Sequence, residues 1–358
     1  MAHIKLENVT KKFGNHTALR GLDLEIADGE FFVLLGQTGA GKTTTLRLIA
    51  GLEKPTQGRI FIDGNDVGDW GAAERDVALV LQQYSLYPRY TVRENLEFPL
   101  KSKLRRVPDA EIAERVDRVA KTLRIAHLLD RKTDRLSGGE MQRVSIGRAI
   151  VRKPRVFLMD EPLSALDAKL REALRTELKN IQMNLGQTFL FVTHDQIEAM
   201  SMGDKIGVLN HGSLVQVGTP HEIYNNPKNT FVARAVGSPP MNLIDGTVSA
   251  NRAVLAANSF ELPLGGTTAN SGDRPLTFGV RPEDISLGQG APVEANVQDV
   301  ENHGVEKIVT LRIGDHVLRA TAPAQTRVEI DDQVRFGWNS DKVVLFDRSS
   351  GVNLRHAG

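Results

Sequence analysis

The first residues whose types and spacing could do chemistry lie in a glycine-rich segment between a strand and a helix. The apolar run 31–35 predicts a buried strand, residues 36–43 read Gly-Gln-Thr-Gly-Ala-Gly-Lys-Thr, and a helical pattern follows over 44–50. Glycines let the backbone approach an anion closely, and the helix N-terminus adds a partial positive charge. This order of strand, turn and helix matches the P-loop, which binds the phosphates of a nucleoside triphosphate. The alternative is a glycine-rich turn without function.

Two side chains of this loop have distinct predicted roles. Lys42 would neutralise the β- and γ-phosphates, and Thr43 would offer its hydroxyl to Mg²⁺. The other predicted nucleotide contacts of the loop are Gly36, Gln37, Thr38, Gly39, Ala40, Gly41 and Thr44.

A pair of carboxylates follows a second strand, predicted over 156–159. Asp160 and Glu161 come where this strand reaches the carboxyl edge of the sheet, the edge at which ligands bind in such folds. Asp160 is suited to hold Mg²⁺ through water, and Glu161 to orient or deprotonate the attacking water. The alternative is a solvated strand end without a ligand.

A third motif opens another predicted helix. Residues 136–143 read Leu-Ser-Gly-Gly-Glu-Met-Gln-Arg, and Ser137 with Glu140 has the spacing of a capping box. This helix N-terminus is also suited to an anion, 95 positions (137 − 42) after Lys42. Two such sites in one chain suggest that two copies clamp a nucleotide between them. The alternative is a simple N-cap.

The elements that must position these residues form two predicted domains. Up to about residue 231, strand-like runs alternate with helical patterns, which predicts an α/β domain with a mainly parallel sheet. Beyond residues 237–240, short apolar runs separated by turn residues predict a small all-β barrel or sandwich. Thr219, Pro220 and Glu222 predict a helix start, and Asn226-Pro227 its end. Two longer helices are marked by apolar stripes at Ile112, Val116, Val119 and Leu123, and at Leu170, Leu174, Leu178, Ile181 and Leu185.

Composition is that of an ordinary globular chain. Its 358 residues favour two domains, and 45 basic against 44 acidic side chains give a formal net charge of +1. This balance argues against nucleic acid as a partner. Zero cysteines exclude disulfides and thiolate metal sites and are compatible with the cytosol. We expect no secretory signal and no membrane span, because the longest apolar runs fall far short of roughly 20 residues.

Over its first two thirds the chain resembles the nucleotide-binding subunits of ABC transporters, and Leu-Ser-Gly-Gly-Glu resembles their signature motif. Further matches follow in the family's order. Phe13 stands where the family stacks an aromatic on adenine, and Gln82 where it has the Q-loop glutamine that contacts Mg²⁺. Asp167 matches the D-loop, and His194 matches the switch histidine.

This resemblance implies a P-loop NTPase fold with a RecA-like core and a helical signature subdomain. It implies ATP and Mg²⁺ as ligands and hydrolysis of ATP to ADP and phosphate. The catalytic residues would be Lys42, Glu161 and His194, and the metal ligands Thr43, Gln82 and Asp160. The facing chain of a homodimer would contribute Ser137, Gly138 and Gly139 to the nucleotide.

Two of these residues have simpler interpretations. Phe13 could be a core residue, and His194 could merely begin a helix, since Thr193 and Gln196 also have capping-box spacing. Physically, the imidazole of His194 could hydrogen-bond the γ-phosphate and so report ATP against ADP.

Two positions depart from the family's usual residues. Gln37 replaces a proline or serine, and Glu140 replaces the commoner glutamine of the signature. Neither change removes a predicted phosphate ligand. Glu140 adds a negative charge in the first helical turn, which favours the helix dipole and is less favourable to a nearby nucleotide.

The C-terminal third resembles the OB-type (TOBE) domain of maltose-type import ATPases, through residues 237–242 and 279–284. We therefore expect an ATPase domain over 1–235, with a helical subdomain at about 88–155, and an all-β OB-fold-type domain over 236–358. In that family the domain is regulatory and helps to hold the dimer. A passive scaffold is the alternative.

The resemblance implies an ATPase subunit that powers import of a sugar or sugar-like solute, such as a polyol, glycoside or glycerol conjugate. Its partners would be a second copy, two transmembrane permease subunits and, indirectly, a periplasmic or extracellular solute-binding protein. It would lie at the cytoplasmic face of the bacterial inner membrane and touch the membrane only through the permease.

Residues 84–88 follow Gln82 as they do in sugar importers, near where a permease helix would dock; local packing against the following helices is the alternative.

Two other functions stay open. One is import of a polyamine, iron or an anion. The other is a soluble ABC ATPase acting on DNA or ribosomes, which usually has two ATPase halves or a coiled-coil insertion; we find neither here. The solute itself cannot be read from a subunit that never touches it.

Overall fold

The computed structural model describes residues 2–102, 107–249, 252–255, 260–264 and 275–356. The chain divides into two compact units, Met1–Pro220 and His221–Gly358. This division falls earlier in the chain than the domain boundary expected after residue 235, which stays a prediction.

Ten described strands belong to the first unit. They are β1 (Ile4–Phe13), β2 (His16–Ile26), β3 (Phe31–Leu35), β4 (Gln57–Ile62), β5 (Asn65–Asp66), β6 (Val77–Val80), β7 (Val156–Asp160), β8 (Thr188–Thr193), β9 (Lys205–Asn210) and β10 (Ser213–Gly218). The helices that begin in this unit are α1 (Lys42–Ile49), α2 (Val92–Glu97), α3 (Asp109–Thr122), α4 (Gly138–Ile150), α5 (Ala168–Leu185), α6 (Gln196–Met202) and α7 (Pro220–Asn225).

The central sheet of the first unit has, among the described strands, the order β10-β9-β3-β8-β7-β6. All its pairs are parallel except β10 with β9. Every residue of β3, β7 and β8 is buried, as expected for parallel strands that are covered on both faces. The predicted α/β fold is confirmed, and the carboxyl ends of these three strands meet at one edge.

A smaller antiparallel sheet completes the first unit, with the described strands in the order β2-β1-β4-β5. Its buried residues share one apolar cluster with the central sheet, including Ile4, Leu24, Ile60 and Leu34. The sheet carries Phe13 at the end of β1, where it pairs with His16 of β2.

The helices follow the predicted apolar stripes. In α3, Ile112, Val116 and Val119 are buried. In α5, Leu174, Leu178 and Ile181 are buried, whereas the stripe's two ends are only half-buried. The predicted start of α7 at Pro220 and its end before Asn226-Pro227 are also confirmed.

The second unit contains α8 (Thr230–Ala235) and an all-β portion, which confirms the predicted OB-type class. Its described strands are β11 (Asn242–Ser249), β12 (Arg252–Leu255), β13 (Phe260–Pro263), β14 (Leu276–Val280), β15 (Ile285–Leu287), β16 (Val293–Asn302), β17 (Glu306–Ile313), β18 (His316–Pro323), β19 (Gln333–Trp338) and β20 (Val344–Asp347). They form two antiparallel sheets, ordered β13-β12-β11-β14-β20 and β15-β19-β16-β17-β18. One apolar core lies between them, with Phe260, Phe278, Phe336 and Trp338 among its members.

A buried arginine joins the segments at the start of the second unit. Arg281, 3% exposed, follows β14, and its guanidinium donates to the carbonyl oxygens of Tyr224 and Val236, both at 2.6 Å, and of Ala233 at 3.2 Å. It also lies 3.8 Å from the ring centroid of Tyr224. The hydroxyl of Tyr224 donates to Glu283 at 2.6 Å. One side chain therefore satisfies three carbonyl oxygens at or just beyond the C-terminal ends of α7 and α8.

We expect Arg281→Met to lower the free energy of unfolding of this unit by about 3 kcal/mol, because three carbonyl oxygens lose their donor. The measurement is thermal unfolding followed by Trp338 fluorescence in a Trp70→Phe background, since the chain has 2 tryptophans. Arg335→Met, at an exposed strand position, is the matched control and should cost less than about 0.5 kcal/mol. Equal losses in the two variants would contradict this account of Arg281.

Candidate functional site

The predicted phosphate loop has the expected strand, turn and helix. It leaves β3 at Gly36 and enters α1 at Lys42, and Gly39 and Gly41 have φ values of +81° and +108°. Such angles favour glycine. A Cβ at Gly36 would lie 2.7 Å from the carbonyl oxygen of Leu209. The backbone conformation and the close approach therefore both require glycine in this loop.

Lys42 is buried and turned back onto the loop. Its Nζ donates to the carbonyl oxygens of Gly36 at 2.9 Å and Gln37 at 3.1 Å. It also lies 3.2 Å from Oε1 of Glu161. The ammonium group thus has three oxygen partners within the protein, all of which a phosphate could replace.

Thr43 and Asp160 meet between α1 and the end of β7. The Thr43 hydroxyl donates to Oδ1 of Asp160 at 3.0 Å. Asp160 is 7% exposed, and burial raises its pKa, against the hydrogen bond from Thr43. The two oxygens are of the kind that Mg²⁺ prefers, and a buried carboxylate gains from a nearby cation. The donor set therefore fits the predicted metal.

Glu161 connects the two predicted catalytic partners. Its Oε1 faces Nζ of Lys42, and its Oε2 lies 3.0 Å from Nδ1 of His194. Its φ of +45° is in the left-handed region, and its N–H donates to the carbonyl oxygen of Val192 at 3.0 Å. Strained backbone of this kind concentrates at active sites. The structure brings all three predicted catalytic residues together.

His194 lies between the end of β8 and the start of α6. The cap of α6 is Asp195, which accepts from the N–H groups of Ile197 and Glu198. The alternative in which Thr193 caps this helix is wrong, because the Thr193 hydroxyl instead donates to the buried carboxylate of Glu198 at 2.6 Å. His194 itself is left half exposed, with its Nδ1 bonded to Glu161.

The alternative of a core position for Phe13 is also wrong. The ring is 44% exposed, and Nζ of Lys11 lies 4.7 Å from its centroid. An exposed aromatic face is available for stacking.

Gln82 contacts the segment after Glu161. Its Nε2 donates to the hydroxyl of Ser164 at 3.3 Å, and that hydroxyl donates to the carbonyl oxygen of Glu161 at 2.9 Å. Sequence reasoning did not single out Ser164. Its position three residues after Glu161, within the D-loop motif, was the available signal.

The signature residues begin α4. Ser137 caps the helix and forms a capping box with Glu140. A Cβ at Gly138 would lie 3.0 Å from the hydroxyl of Tyr84, and one at Gly139 would collide with Leu170. The second glycine therefore lets α4 approach α5, whose N-cap is Asp167.

Among the described residues, no hydrogen bond or ion pair joins Ser137, Gly138 or Gly139 to the cluster of Lys42, Glu161 and His194. Of the remaining predicted contacts, Ala40 is buried, Thr44 is half-buried, and Gln37, Thr38 and Asp167 are exposed.

Of residues 84–88, Tyr87 lines a cavity of about 370 Å³, together with Phe98 and Arg148. The ring of Tyr87 packs on Phe98 and Tyr90, with centroids 4.4 and 5.5 Å apart, which confirms local packing for Tyr87. Each of these three rings is nevertheless more than a third exposed. Arg148 lies over the Tyr87 ring at 5.3 Å and donates to the carbonyl oxygen of Ser85 at 2.7 Å. The cavity thus has an aromatic rim and a basic wall.

Comparison with known families agrees with this geometry. The model described as ABC transporter matches residues 19–164, that of the MalK OB fold domain matches 237–285, and that of the TOBE domain matches 278–346. An ATP-binding cassette dimer solved in a post-hydrolysis state with ADP and Pi has a TM-score of 0.55 and 34% identity, over 61% of this chain and 98% of that one. The fold and the site define a P-loop ATPase of the ATP-binding cassette class.

Three named relatives match nearly the whole chain. The trehalose/maltose import ATP-binding protein MalK of Thermococcus litoralis is 48% identical over 98% of this chain and 99% of its own. The sn-glycerol-3-phosphate import ATP-binding protein UgpC of Brucella abortus is 46% identical, with 97% of each chain covered. The sulfoquinovosyl glycerol transport ATP-binding protein SmoE of Agrobacterium fabrum is 44% identical over 98% and 99%.

The chain belongs to the family of ABC transporter ATP-binding subunits that carry a C-terminal MalK-type OB and TOBE domain. Its activity is ATP hydrolysis coupled to transport. In the part of the chain that the structure describes, no helix combines the length and apolar character needed to cross a membrane.

The buried carboxyl group of Glu198 provides a test of how the segment around His194 is stabilised. Burial raises its pKa, with the hydrogen bond from Thr193 opposing the shift. When folding raises the pKa of a carboxyl group, the folded state loses stability as the pH rises through that pKa. The ionised form of Glu198 therefore lowers the free energy of unfolding at neutral pH. Glu198→Gln keeps an acceptor for the Thr193 hydroxyl and removes the charge.

We therefore expect Glu198→Gln to raise the Tm at about pH 8 by on the order of 2 °C, with a smaller difference at about pH 4. The exposed Glu172→Gln on α5 is the control. A Tm difference for Glu198→Gln that is equal at both pH values would rule out this explanation.

Proposed function

We propose that the chain powers import of a sugar or sugar-like solute, such as a polyol, glycoside or glycerol conjugate, by ATP-driven closure of a homodimer. The observation that carries this proposal is the placement of Glu161 between Lys42 and His194. It occurs in a chain that aligns almost end to end with ATP-binding proteins named for import of maltose, xylose and glycerol phosphate.

The described contacts support the following nucleotide site. Lys42 exchanges its two carbonyl partners for the β- and γ-phosphates. Thr43 and Gln82 would hold Mg²⁺ through their side-chain oxygens, and Asp160 would hold it through water. When bound, the ion neutralises charge on the phosphate oxygens.

Departure of Lys42 towards the phosphates changes the state of Glu161. Its carboxylate loses one cation partner and becomes available to orient and polarise the attacking water. With Nδ1 of His194 bonded to Glu161, Nε2 is the nitrogen that remains for a γ-phosphate oxygen. Because the carboxylate and the phosphate oxygen are both acceptors, both ring nitrogens would carry a proton in this arrangement. A single rearrangement therefore couples phosphate binding to readiness for hydrolysis.

Homodimer closure completes the site. Phe13 would stack on the adenine, and the P-loop residues would line the nucleotide together with Asp167 of the D-loop. The facing copy contributes Ser137, Gly138 and Gly139 at the N-terminus of α4, whose partial positive charge favours phosphate. ATP stabilises the closed state because only that state contacts the nucleotide from both sides. Hydrolysis and phosphate release reopen the pair.

The cavity beside Tyr87 is the proposed docking surface for the permease. Exposed aromatic rings and arginines are the residue types that dominate protein interfaces. Two transmembrane permease subunits would each contact one copy, and a periplasmic or extracellular solute-binding protein would act through them. The subunit would lie at the cytoplasmic face of the bacterial inner membrane, with membrane contact only through the permease.

The proposed domains are an ATPase domain over 1–235 and an OB-type domain over 236–358, with the helical subdomain at about 88–155. In support, α2, α3 and α4 all lie within that subdomain range, α8 ends at Ala235, and β11 begins at Asn242. A regulatory role for the OB-type domain belongs to the same proposal.

The catalytic proposal predicts that Glu161→Gln lowers steady-state phosphate release by at least about 100-fold. It also predicts a long-lived dimer with Mg-ATP, because closure no longer ends in hydrolysis. Light scattering with Mg-ATP and then Mg-ADP measures the dimer, and Glu172→Gln is the control. A variant that hydrolyses ATP as fast as the parent, or that stays monomeric with Mg-ATP, contradicts the proposal.

The solute class predicts a selective loss of uptake. Cells that carry Glu161→Gln in place of the parent chain should lose uptake of one labelled sugar, polyol or glycerol conjugate from a panel. They should keep uptake of polyamines, iron and inorganic anions. The reverse pattern would establish the alternative importer, and no change in uptake would argue for a function outside transport.

A further inference from the structure

The departure at position 140 has a specific structural result. Oε2 of Glu140 accepts both the N–H of Ser137 at 2.7 Å and the hydroxyl of Ser137 at 3.0 Å. In return, the Ser137 oxygen accepts the N–H of Glu140 at 3.4 Å. The hydroxyl proposed to meet ATP is therefore already bonded to a carboxylate of its own helix.

A glutamine at this position would behave differently. Either residue can accept the backbone N–H of a capping box, so the helix start does not require a charge. Only the carboxylate makes a charge-assisted bond with the hydroxyl, and such bonds are roughly twice as strong as neutral ones. Because a serine hydroxyl has one proton, Ser137 cannot donate to Glu140 and to a phosphate at the same time.

The surroundings of Glu140 contain basic groups. Nη1 of Arg131 lies 3.9 Å from Oε1, and His127 also lies near enough to act on the carboxylate. The N–H of Ser137, with smaller contributions from Arg131 and His127, lowers the pKa of Glu140. The side chain is therefore negatively charged at neutral pH, with one oxygen on Ser137 and the other towards Arg131.

We infer that Glu140 is a positioning residue that restrains ATP-driven closure, by holding the Ser137 hydroxyl until a γ-phosphate takes it. Arg131 offsets the charge that Glu140 presents to the incoming phosphate. This inference rests on the proposed function, in which Ser137 contacts the ATP of the facing copy. On closure the Ser137 hydroxyl donates its hydrogen bond to a phosphate oxygen instead of to Glu140. Glu140 still accepts the backbone N–H of Ser137, and its other oxygen pairs more closely with Arg131.

The test measures the Mg-ATP concentration at half-maximal dimerisation, by light scattering in the Glu161→Gln background. Glu140→Gln should lower this midpoint by about 3-fold to 10-fold, because the hydroxyl is released and a negative charge removed. The gain should shrink as NaCl is raised. Arg131→Gln should raise the midpoint about 3-fold when Glu140 is present. In the double variant with Glu140→Gln, the same change should have little effect, as expected for a coupled pair.

A second readout separates positioning from capping. Glu140→Gln should lower the Tm only slightly, through loss of a negative charge in the first helical turn, whereas Glu140→Ala should lower it further through loss of the cap. In the chain with Glu161 intact, Glu140→Gln should lower the KM for ATP more than it changes kcat. An unchanged midpoint and KM for Glu140→Gln would overturn the inference.

Ser137→Ala makes failure of this inference distinguishable from failure of the proposed function. Suppose that Ser137→Ala weakens closure while Glu140→Gln has the same Mg-ATP midpoint as the chain with Glu140. The Ser137 contact then stands, and the restraint by Glu140 is wrong. If Ser137→Ala leaves both the midpoint and the KM unchanged, the proposed placement of Ser137 on the facing nucleotide is wrong, and the restraint falls with it.

Discussion

The site depends on one ionic interaction, the carboxylate of Glu161 held between Lys42 and His194. The three residues come from distant parts of the chain and meet only because β3, β7 and β8 are adjacent and parallel in the central sheet. Parallel strands bring their carboxyl ends to one edge. The buried apolar strands therefore have a functional consequence, because their register fixes the distances among three polar side chains.

Several unfavourable contributions to the free energy of folding lie at this same edge of the sheet. Asp160 is buried with a raised pKa, Glu161 has a positive φ, and Lys42 is 5% exposed. Each costs free energy that the surrounding core has to supply. A nucleotide with its metal would relieve the first and third of these costs, because it brings cations to Asp160 and anions to Lys42. Binding and closure can therefore draw on strain that the chain already holds at this edge.

The sequence predicted the bounds of an element best where burial alone determines its residue types. The strand over 31–35 was predicted at its observed bounds because all its residues are buried. Competition between nearby side chains for the cap of one helix was harder to predict. Thr193 and Asp195 both have capping side chains, and the choice depends on the buried Glu198, which is only known from tertiary structure. The bond between Gln82 and Ser164 likewise joins residues 82 positions apart and leaves no local pattern.

Gly139 shows how the nucleotide motifs are linked mechanically within one chain. Its missing side chain admits Leu170 of α5, the helix that Asp167 caps. The start of α5 is in turn near the segment where Ser164 bonds Gln82 and the carbonyl oxygen of Glu161. Leu170 thus packs α4 directly against the helix that follows the D-loop, so a shift of α4 would press on the segment that holds Ser164 and Glu161. Because close-packed elements move as units, the N-terminus of α4 and the carboxylate of Glu161 would then be coupled by packing within one chain as well as through a shared nucleotide.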